Sequence, residues 1–346
     1  MSPEDSDLGE FELIRRFFLR RPAAHAASGA AAPAADSGVI LGIGDDAAVL
    51  ALPPDMELVA AVDTLVAGRH FPEGTDARSI GHRALAVNLS DFAAMGATPA
   101  WATLALTLPS ADPAWLERFS AGFFDLADAN GVALVGGDTT RGPLTVSVQI
   151  LGHVPHGAAL RRSGARAGDL LAVTGTLGDA GAGLAFVNGP LAAKPDFAVQ
   201  ELIRRFDYPT PRVQFGLAAR GVATAAMDLS DGLVGDLPKL AQASGLAAHV
   251  EVDRLPLSDA MRAAAPPEQA RDWALAAGED YELLIAVPAA RYAELAAAAV
   301  QLNLRLTAIG EFRPGAGVTW SVNGREFAPG VRGWDHFAQA STQITV

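Results

Sequence analysis

The chain has 346 residues, half of them hydrophobic, with a formal charge of -13 and no cysteine. That length and composition suffice for a large core and about two domains. The acidic balance excludes the Lys/Arg excess that drives binding to nucleic acid or anionic membranes, and the lack of cysteine excludes disulfides, thiolate nucleophiles and Cys-ligated metal centres.

Met1 to Glu12 is acidic and lacks the basic start and apolar stretch of a secretory signal. No uninterrupted apolar segment reaches the roughly 20 residues needed to span a bilayer, so a cytoplasmic location is the expectation. Phe11, Leu13, Ile14, Phe17 and Phe18 suit one face of a short helix. Arg21 to Gly38, rich in Ala, Pro and Ser, reads as a mobile connector. Val39–Ile43 and Leu58–Val62 predict strands, Arg78–Met95 a helix ending at Gly96, Trp101–Leu108 a strand and Trp115–Asn130 a helix. Val132–Val135 and Leu144–Val154 predict further strands, and a first domain ends near Pro155-His156-Gly157. Beyond it come strands at Leu170–Val173, His249–Val252, Leu283–Val287 and Leu306–Ile309. Helices are predicted near Gly181–Val187 and at Leu233–Ala243 and Ala290–Leu302. Strands and helices do not alternate strictly, which favours two mixed α+β domains over one parallel sheet. The division is residues 1–38 for the helix and connector, 39–155 for a first domain and 156–346 for a second.

Five aspartate motifs stand at the ends of apolar runs: Gly44-Asp45-Asp46, Val62-Asp63-Thr64, Leu89-Ser90-Asp91, Gly136-Gly137-Asp138-Thr139 and Met227-Asp228-Leu229-Ser230-Asp231-Gly232. A carboxylate after a buried strand needs a cation or several donors to stay ionised. The only lysines, Lys194 and Lys239, lie outside the motifs. An external divalent metal is the economical counter-charge, and oxygen-only ligands favour magnesium over zinc. Six carboxylates, Asp46, Asp63, Asp91, Asp138, Asp228 and Asp231, are enough for more than one ion, as a crowded polyanionic substrate requires. The plainer alternative for each is a turn former or helix cap.

Other phosphate signatures fail. There is no P-loop Gly-x-x-x-x-Gly-Lys-Ser/Thr. His82-Arg83-Ala84, followed by Asp91-Phe92, has alanine at the base position of a protein-kinase catalytic loop and far too short a spacing. Gly175-Thr176-Leu177-Gly178-Asp179-Ala180-Gly181 could nest a phosphate on its amides or be a packing turn. His70, Arg162, Glu279, Asp280 and Trp334 are each open to a substrate-binding reading or to a bland one: surface histidine, solvated charge, helix cap, core anchor.

Taken in order, the motifs resemble the thiamine-monophosphate kinase family of the PurM-like (aminoimidazole ribonucleotide synthetase-like) superfamily, from about Gly9 to Phe337. The resemblance rests on Gly42-Ile43-Gly44-Asp45-Asp46, Asp63-Thr64-Leu65-Val66, Gly68-Arg69-His70-Phe71 and Ala86-Val87-Asn88-Leu89-Ser90-Asp91. It continues through Gly136-Gly137-Asp138-Thr139-Thr140, Asp228-Leu229-Ser230-Asp231-Gly232 and Gly278-Glu279-Asp280-Tyr281-Glu282-Leu283. It implies a two-domain α+β PurM-like fold, an N-terminal mixed-sheet domain that forms a homodimer, and ATP-dependent phosphorylation of thiamine monophosphate to thiamine diphosphate. It implies magnesium ligands at Asp46, Asp63, Asp91, Asp138 and Asp228, with Asp231 holding a further ion. Gly137, Asp138, Arg162 and Ser230 would bind ATP, and His70, Glu279 and Trp334 would line the thiamine phosphate site. Ala61 and Val62 replace a hydroxyl pair that relatives often carry before the motif aspartate, leaving a backbone carbonyl or water to substitute there. Residues 21–38 look like an insertion.

The absence of an evident general base agrees with this chemistry, because a phosphate monoester has its second pKa near ~6 and is already largely deprotonated at neutral pH. Other superfamily members remain rivals, but a selenophosphate synthetase or hydrogenase-maturation chemistry commonly uses Cys or selenocysteine, which this chain lacks. A metal-binding protein without catalysis is the alternative of a different class.

Overall fold

The computed structural model describes residues 9–19, 38–189 and 196–333. It separates into two compact α+β units, Met1–Leu89 with Thr98–Gly157, and Ser90–Ala97 with Ala158–Val346.

In the first unit, α1 (Glu10–Leu13) runs into a π turn, Ile14–Phe18, whose buried Phe18 meets the Phe119 ring edge-on at 6.4 Å. A short antiparallel hairpin follows, β1 (Val39–Leu41) with β2 (Val49–Leu50). The rest alternates β3 (Met56–Val66), α2 (Ala77–Met95), β4 (Thr98–Leu108), α3 (Pro113–Ala129), β5 (Ala133–Arg141) and β6 (Thr145–Pro155). The sheet order is β3-β6-β4-β5, antiparallel except for the β4/β5 pair that α3 connects. Helix α3 starts where Pro113 takes the first turn and Asp112 Oδ1 accepts the Ala114 N–H at 3.0 Å, two standard start signals. Helices α2 and α3 approach at two glycines: a Cβ on Gly81 would stand 2.1 Å from the Phe119 carbonyl oxygen, and one on Gly122 would stand 1.9 Å from that of Arg78.

The sheet residues divide with period two. Leu104, Leu106 and Leu108 of β4 and Val146, Val148 and Ile150 of β6 are buried. The alternate row leaves Leu58 58% and Val62 62% exposed.

The second unit comprises the C-terminal end of α2 together with β7 (Asp169–Thr174), α4 (Asp179–Asn188), α5 (Asp196–Asp207), α6 (Val213–Ala219), β8 (Ala225–Leu229), α7 (Leu233–Ala243), β9 (Ala247–Glu251), α8 (Asp259–Ala264), α9 (Pro267–Ala276), β10 (Glu282–Pro288), α10 (Tyr292–Gln301), β11 (Leu306–Arg313), β12 (Gly317–Val322) and β13 (Arg325–Phe327). Its seven-stranded sheet runs β13-β12-β9-β11-β7-β10-β8, with only β12/β9 parallel. Leu171, Val173, Met227, Leu229, Leu237, Leu240, Val250, Leu284 and Phe312 form one core; Ala182, Leu202, Met261 and Trp273 form a second among α4, α5, α8 and α9. Both units are mixed α+β, and among the described residues no helix is long and apolar enough to cross a membrane.

The expected strand-end position holds for only some of the aspartates. Asp228 is the penultimate residue of β8. Asp63 and Asp138, by contrast, lie inside β3 and β5, whose pairing continues to Val66 and Arg141. Ladder hydrogen bonds are made by the backbone, so a strand on a sheet edge extends past the point where its apolar pattern stops. Asp91 sits on α2, not after a strand. The connector reading falls on residues outside those described, apart from Gly38, and so does Trp334.

Candidate functional site

In the first unit, Asp46 is exposed between β1 and β2, and its N–H donates to Asp45 Oδ1 at 2.8 Å. Asp63 pairs across the sheet with Val148. Asp138 is exposed and shares a cross-strand row with Ala105, Ser147 and Thr64, where the Thr64 and Ser147 hydroxyls are 2.7 Å apart. Because β3 and β5 are the two edges of this four-stranded sheet, three strand spacings put Asp63 and Asp138 roughly 14 Å apart. Gly137 has φ +150, and a Cβ there would meet the Leu104 carbonyl oxygen at 1.9 Å, so only glycine brings this edge backbone so close to β4. His70 is half-buried in the turn after β3, and its Nδ1 accepts the Val66 N–H at 3.0 Å. A neutral ring held this way carries its proton on Nε2.

In the second unit, Ser90 Oγ donates to Oδ2 of the buried Asp228 at 3.0 Å, which brings the Ser90-Asp91 turn of α2 to the end of β8. After β8, the Ser230 and Asp231 N–H groups both donate to Asp236 Oδ2, at 3.0 and 2.9 Å. Lys239 Nζ bridges Asp231 Oδ2 at 2.7 Å and Asp236 Oδ1 at 3.0 Å. The chain therefore supplies a counter-charge of its own to Asp231, where the expectation was that the counter-charge comes from outside as a metal. The spacing carried the signal, since Asp236 and Lys239 stand one helical turn apart on α7. Burial raises Asp236, against the pull of Lys239; burial lowers Lys239, but its two carboxylate partners leave it raised on balance. The Arg162 side chain is exposed, while its carbonyl accepts from Ser244 Oγ at 2.8 Å.

Glu279 lies in the turn between α9 and β10, fastened to the same segment: its N–H donates to the Ser230 carbonyl at 2.8 Å, and the Tyr281 N–H to that of Leu229 at 2.9 Å. Gly278 permits this, because a Cβ there would stand 2.2 Å from the Ser230 carbonyl oxygen. Glu279 and Tyr281 both hold positive φ, +73 and +50. Such strain costs on the order of 1–3 kcal/mol per residue and persists only where surrounding structure enforces it. The enforcement comes from Asp280, whose carboxylate accepts from the Gly178 N–H at 2.6 Å and the Ala180 N–H at 3.2 Å at the start of α4. Asp280 thus takes the Gly178 and Ala180 amides of the Gly175–Gly181 turn, while the Gly175 and Leu177 amides donate to the Arg305 and Pro256 carbonyls, an arrangement that suits a packing turn over a phosphate nest. It also makes Asp280 a helix cap. Burial raises Asp280 to about 8, against the two amides and Arg205.

Behind this turn lies a buried ionic cluster that the sequence did not announce. Glu282 receives Arg205 at 2.8 Å, a very short contact from Arg212 and the Thr174 hydroxyl at 2.7 Å. Burial opposes ionisation of Glu282, but Arg212 and Arg205 hold it below the ordinary carboxylate value. Burial raises neighbouring Asp179, although Thr176 and Ser258 donate to it. Glu282, Arg205, Thr174 and Asp179 come from β10, α5, β7 and α4, Arg212 stands just before α6 and Ser258 just before α8, and together they bear no spacing signature.

Among the described residues, no three Asp, Glu or His side chains gather where they could hold a metal ion. Asp46 and Asp138 nonetheless present carboxylates at the surface, and the Thr64 and Ser147 hydroxyls lie in the same cross-strand row as Asp138, on the far side of Ala105. An all-oxygen donor set of this kind suits magnesium, which usually takes one or two protein carboxylates and keeps its remaining positions for water and phosphate.

Comparison with known proteins accords with these features. Residues 44–154 match the AIR synthase related protein N-terminal domain and residues 166–323 the corresponding C-terminal domain. The thiamine-monophosphate kinase of Salmonella typhimurium is 46% identical over 331 residues, spanning 95% of this chain and 98% of that protein, and the Escherichia coli K12 enzyme is 45% identical over the same span. Among solved structures, the thiamine-monophosphate kinase of Stenotrophomonas maltophilia K279a is 48% identical, with a TM-score of 0.79 over 85% of this chain and 93% of that one. AaThiL complexed with AMPPCP and TMP is 32% identical, with a TM-score of 0.73 over 83% and 89%. With the PurM-like α+β fold in both units and identity sustained along almost the whole chain, this protein is an enzyme of the thiamine-monophosphate kinase family.

Proposed function

We propose that the chain transfers the terminal phosphoryl group of ATP directly to the phosphate of thiamine monophosphate, in line and with several magnesium ions, giving thiamine diphosphate and ADP. The observation that carries this reading is 46% identity over 95% of the chain and 98% of a thiamine-monophosphate kinase, a span that includes every aspartate motif. Asp46, Asp63, Asp91, Asp138, Asp228 and Asp231 would hold magnesium. When bound, that metal supplies positive charge to phosphate oxygens that would otherwise repel one another.

The Gly137 backbone, Ser230 and the exposed Arg162 guanidinium would bind ATP, with the planar fork of arginine suited to phosphate oxygens. His70, whose ring proton is directed to Nε2 by the Val66 bond, would donate to the substrate phosphate. Glu279 would accept from the aminopyrimidine, and Trp334 would stack on the cationic thiazolium. No side chain needs to act as base, because the attacking phosphate oxygen is already deprotonated at neutral pH, its second pKa being about 6. Alignment and electrostatics then supply the rate. The outer face of the first unit's sheet, with Leu58 and Val62 exposed, would pair with a second copy of the chain. Incubating the purified protein with ATP, magnesium and thiamine monophosphate is expected to yield thiamine diphosphate by mass; ATP consumption without that product would reject the assignment.

A further inference from the structure

We propose that Tyr281 is a positioning residue for thiamine monophosphate, orienting the Glu279 carboxylate from a turn that Asp280 locks onto the start of α4. The Tyr281 hydroxyl donates to Glu279 Oε2 at 2.8 Å, across one intervening residue. Side chains two apart in an extended segment share a face but stand roughly 7 Å apart. Here both residues adopt left-handed backbone conformations, φ +73 and +50, and the two side chains close to hydrogen-bond distance. The residue between them, Asp280, is turned inward and held by the Gly178 and Ala180 amides, so the same kink buries Asp280 and brings Glu279 and Tyr281 together.

The turn is also registered against the segment that carries the nucleotide and metal residues. Glu279 N–H binds the Ser230 carbonyl, Tyr281 N–H binds the Leu229 carbonyl, and Gly278 packs against Ser230 with no room for a side chain. Tyr281 itself is buried, 7% exposed, so its ring is fixed and its hydroxyl acts from a rigid base. A carboxylate on a mobile side chain loses rotamer entropy when it engages a ligand. One already held by a buried phenol and a strained backbone loses less, which is the benefit of preorganisation. The Tyr281 bond therefore acts on binding of the substrate that Glu279 touches.

The inference rests on the proposed role of Glu279, and the test separates the two. Tyr281→Phe, Asp280→Asn, Glu279→Gln and the Glu279→Gln/Tyr281→Phe pair are prepared in the full chain. KM for each substrate, kcat, the thermal midpoint and calorimetric binding of thiamine monophosphate are then measured. Tyr281→Phe is expected to raise KM and Kd for thiamine monophosphate about tenfold, to change KM for ATP less than twofold, and to add nothing in the Glu279→Gln background. Asp280→Asn, which turns an amide NH2 group against one of the two backbone N–H donors, is expected to show the same selectivity and serves in its place if Tyr281→Phe folds poorly. A rise in KM with Glu279→Gln but none with Tyr281→Phe would overturn the positioning role and leave the functional reading standing. Equal losses for both substrates would mark Tyr281 as merely structural and overturn it as well. If Glu279→Gln itself left thiamine monophosphate binding unchanged, the assignment of Glu279 would fall, and the inference with it.

Discussion

Asp138 is exposed and has no structural burden in the first unit's core. Asp138→Asn is therefore expected to change stability by no more than about 0.5 kcal/mol, as surface substitutions do. It should nonetheless lower kcat at least about 100-fold, the scale of losing one electrostatic stabiliser. Wild-type turnover at saturating magnesium, with an unaltered thermal midpoint, would remove Asp138 from the metal set. Asp280 makes the opposite case, being buried and structural. Its folded value stands near 8 against an ordinary 3.8, so its contribution to stability is full below about pH 4 and is lost as pH rises through about 8. Asp179 and Asp236, also raised, act in the same sense. Denaturant titrations at pH 6 and pH 9 are expected to show the wild type losing on the order of 1–3 kcal/mol more than Asp280→Asn over that interval. Equal slopes for the two proteins would show that Asp280 is ionised throughout.

At the scale of elements, the crossing of α2 and α3 depends on Gly81 and Gly122, each facing a carbonyl of the other helix. Gly122→Ala places a methyl where the Arg78 carbonyl oxygen now lies, and the helices must separate. The expected cost is about 1–3 kcal/mol, despite the better helix propensity of alanine; a stabilised variant in urea unfolding would show that the helices are free to shift. Elements of this kind were legible from periodicity: α2, α3, β4, β6, α7, β10 and α10 all fall close to their predicted spans. A strand was expected where β1 lies, but β2, α5, α6, α8, α9 and the β12/β13 pair were not predicted. Several are short, and their apolar residues are completed by other elements, as where Leu202 of α5 packs with Trp273 of α9. The site divides in the same way. The motif aspartates were legible because each breaks an apolar run. Asp236 and Lys239 carried only their one-turn spacing and Tyr281 no spacing at all, because each works through a partner outside its own apolar pattern, which the fold supplies.

At the scale of the whole molecule, the first unit's sheet leaves Leu58 and Val62 exposed on one face, and polar substitution there should act on assembly more than on folding. If the proposed dimer forms through this face, Leu58→Asp together with Val62→Asp is expected to convert it to a monomer in sedimentation, with little change in helix content by circular dichroism. A dimer that persists in the double variant would place the interface elsewhere.

The position of Asp63 and Asp138 on opposite edges of that sheet has a kinetic consequence. Carboxylates separated by roughly 14 Å cannot share one magnesium ion within a chain. If both serve a single turnover, the initial rate at low free magnesium will rise with more than the first power of its concentration. Asp63→Asn and Asp138→Asn will each lower that apparent reaction order, and the slope of a logarithmic plot becomes a direct count of the ions the sheet edges recruit.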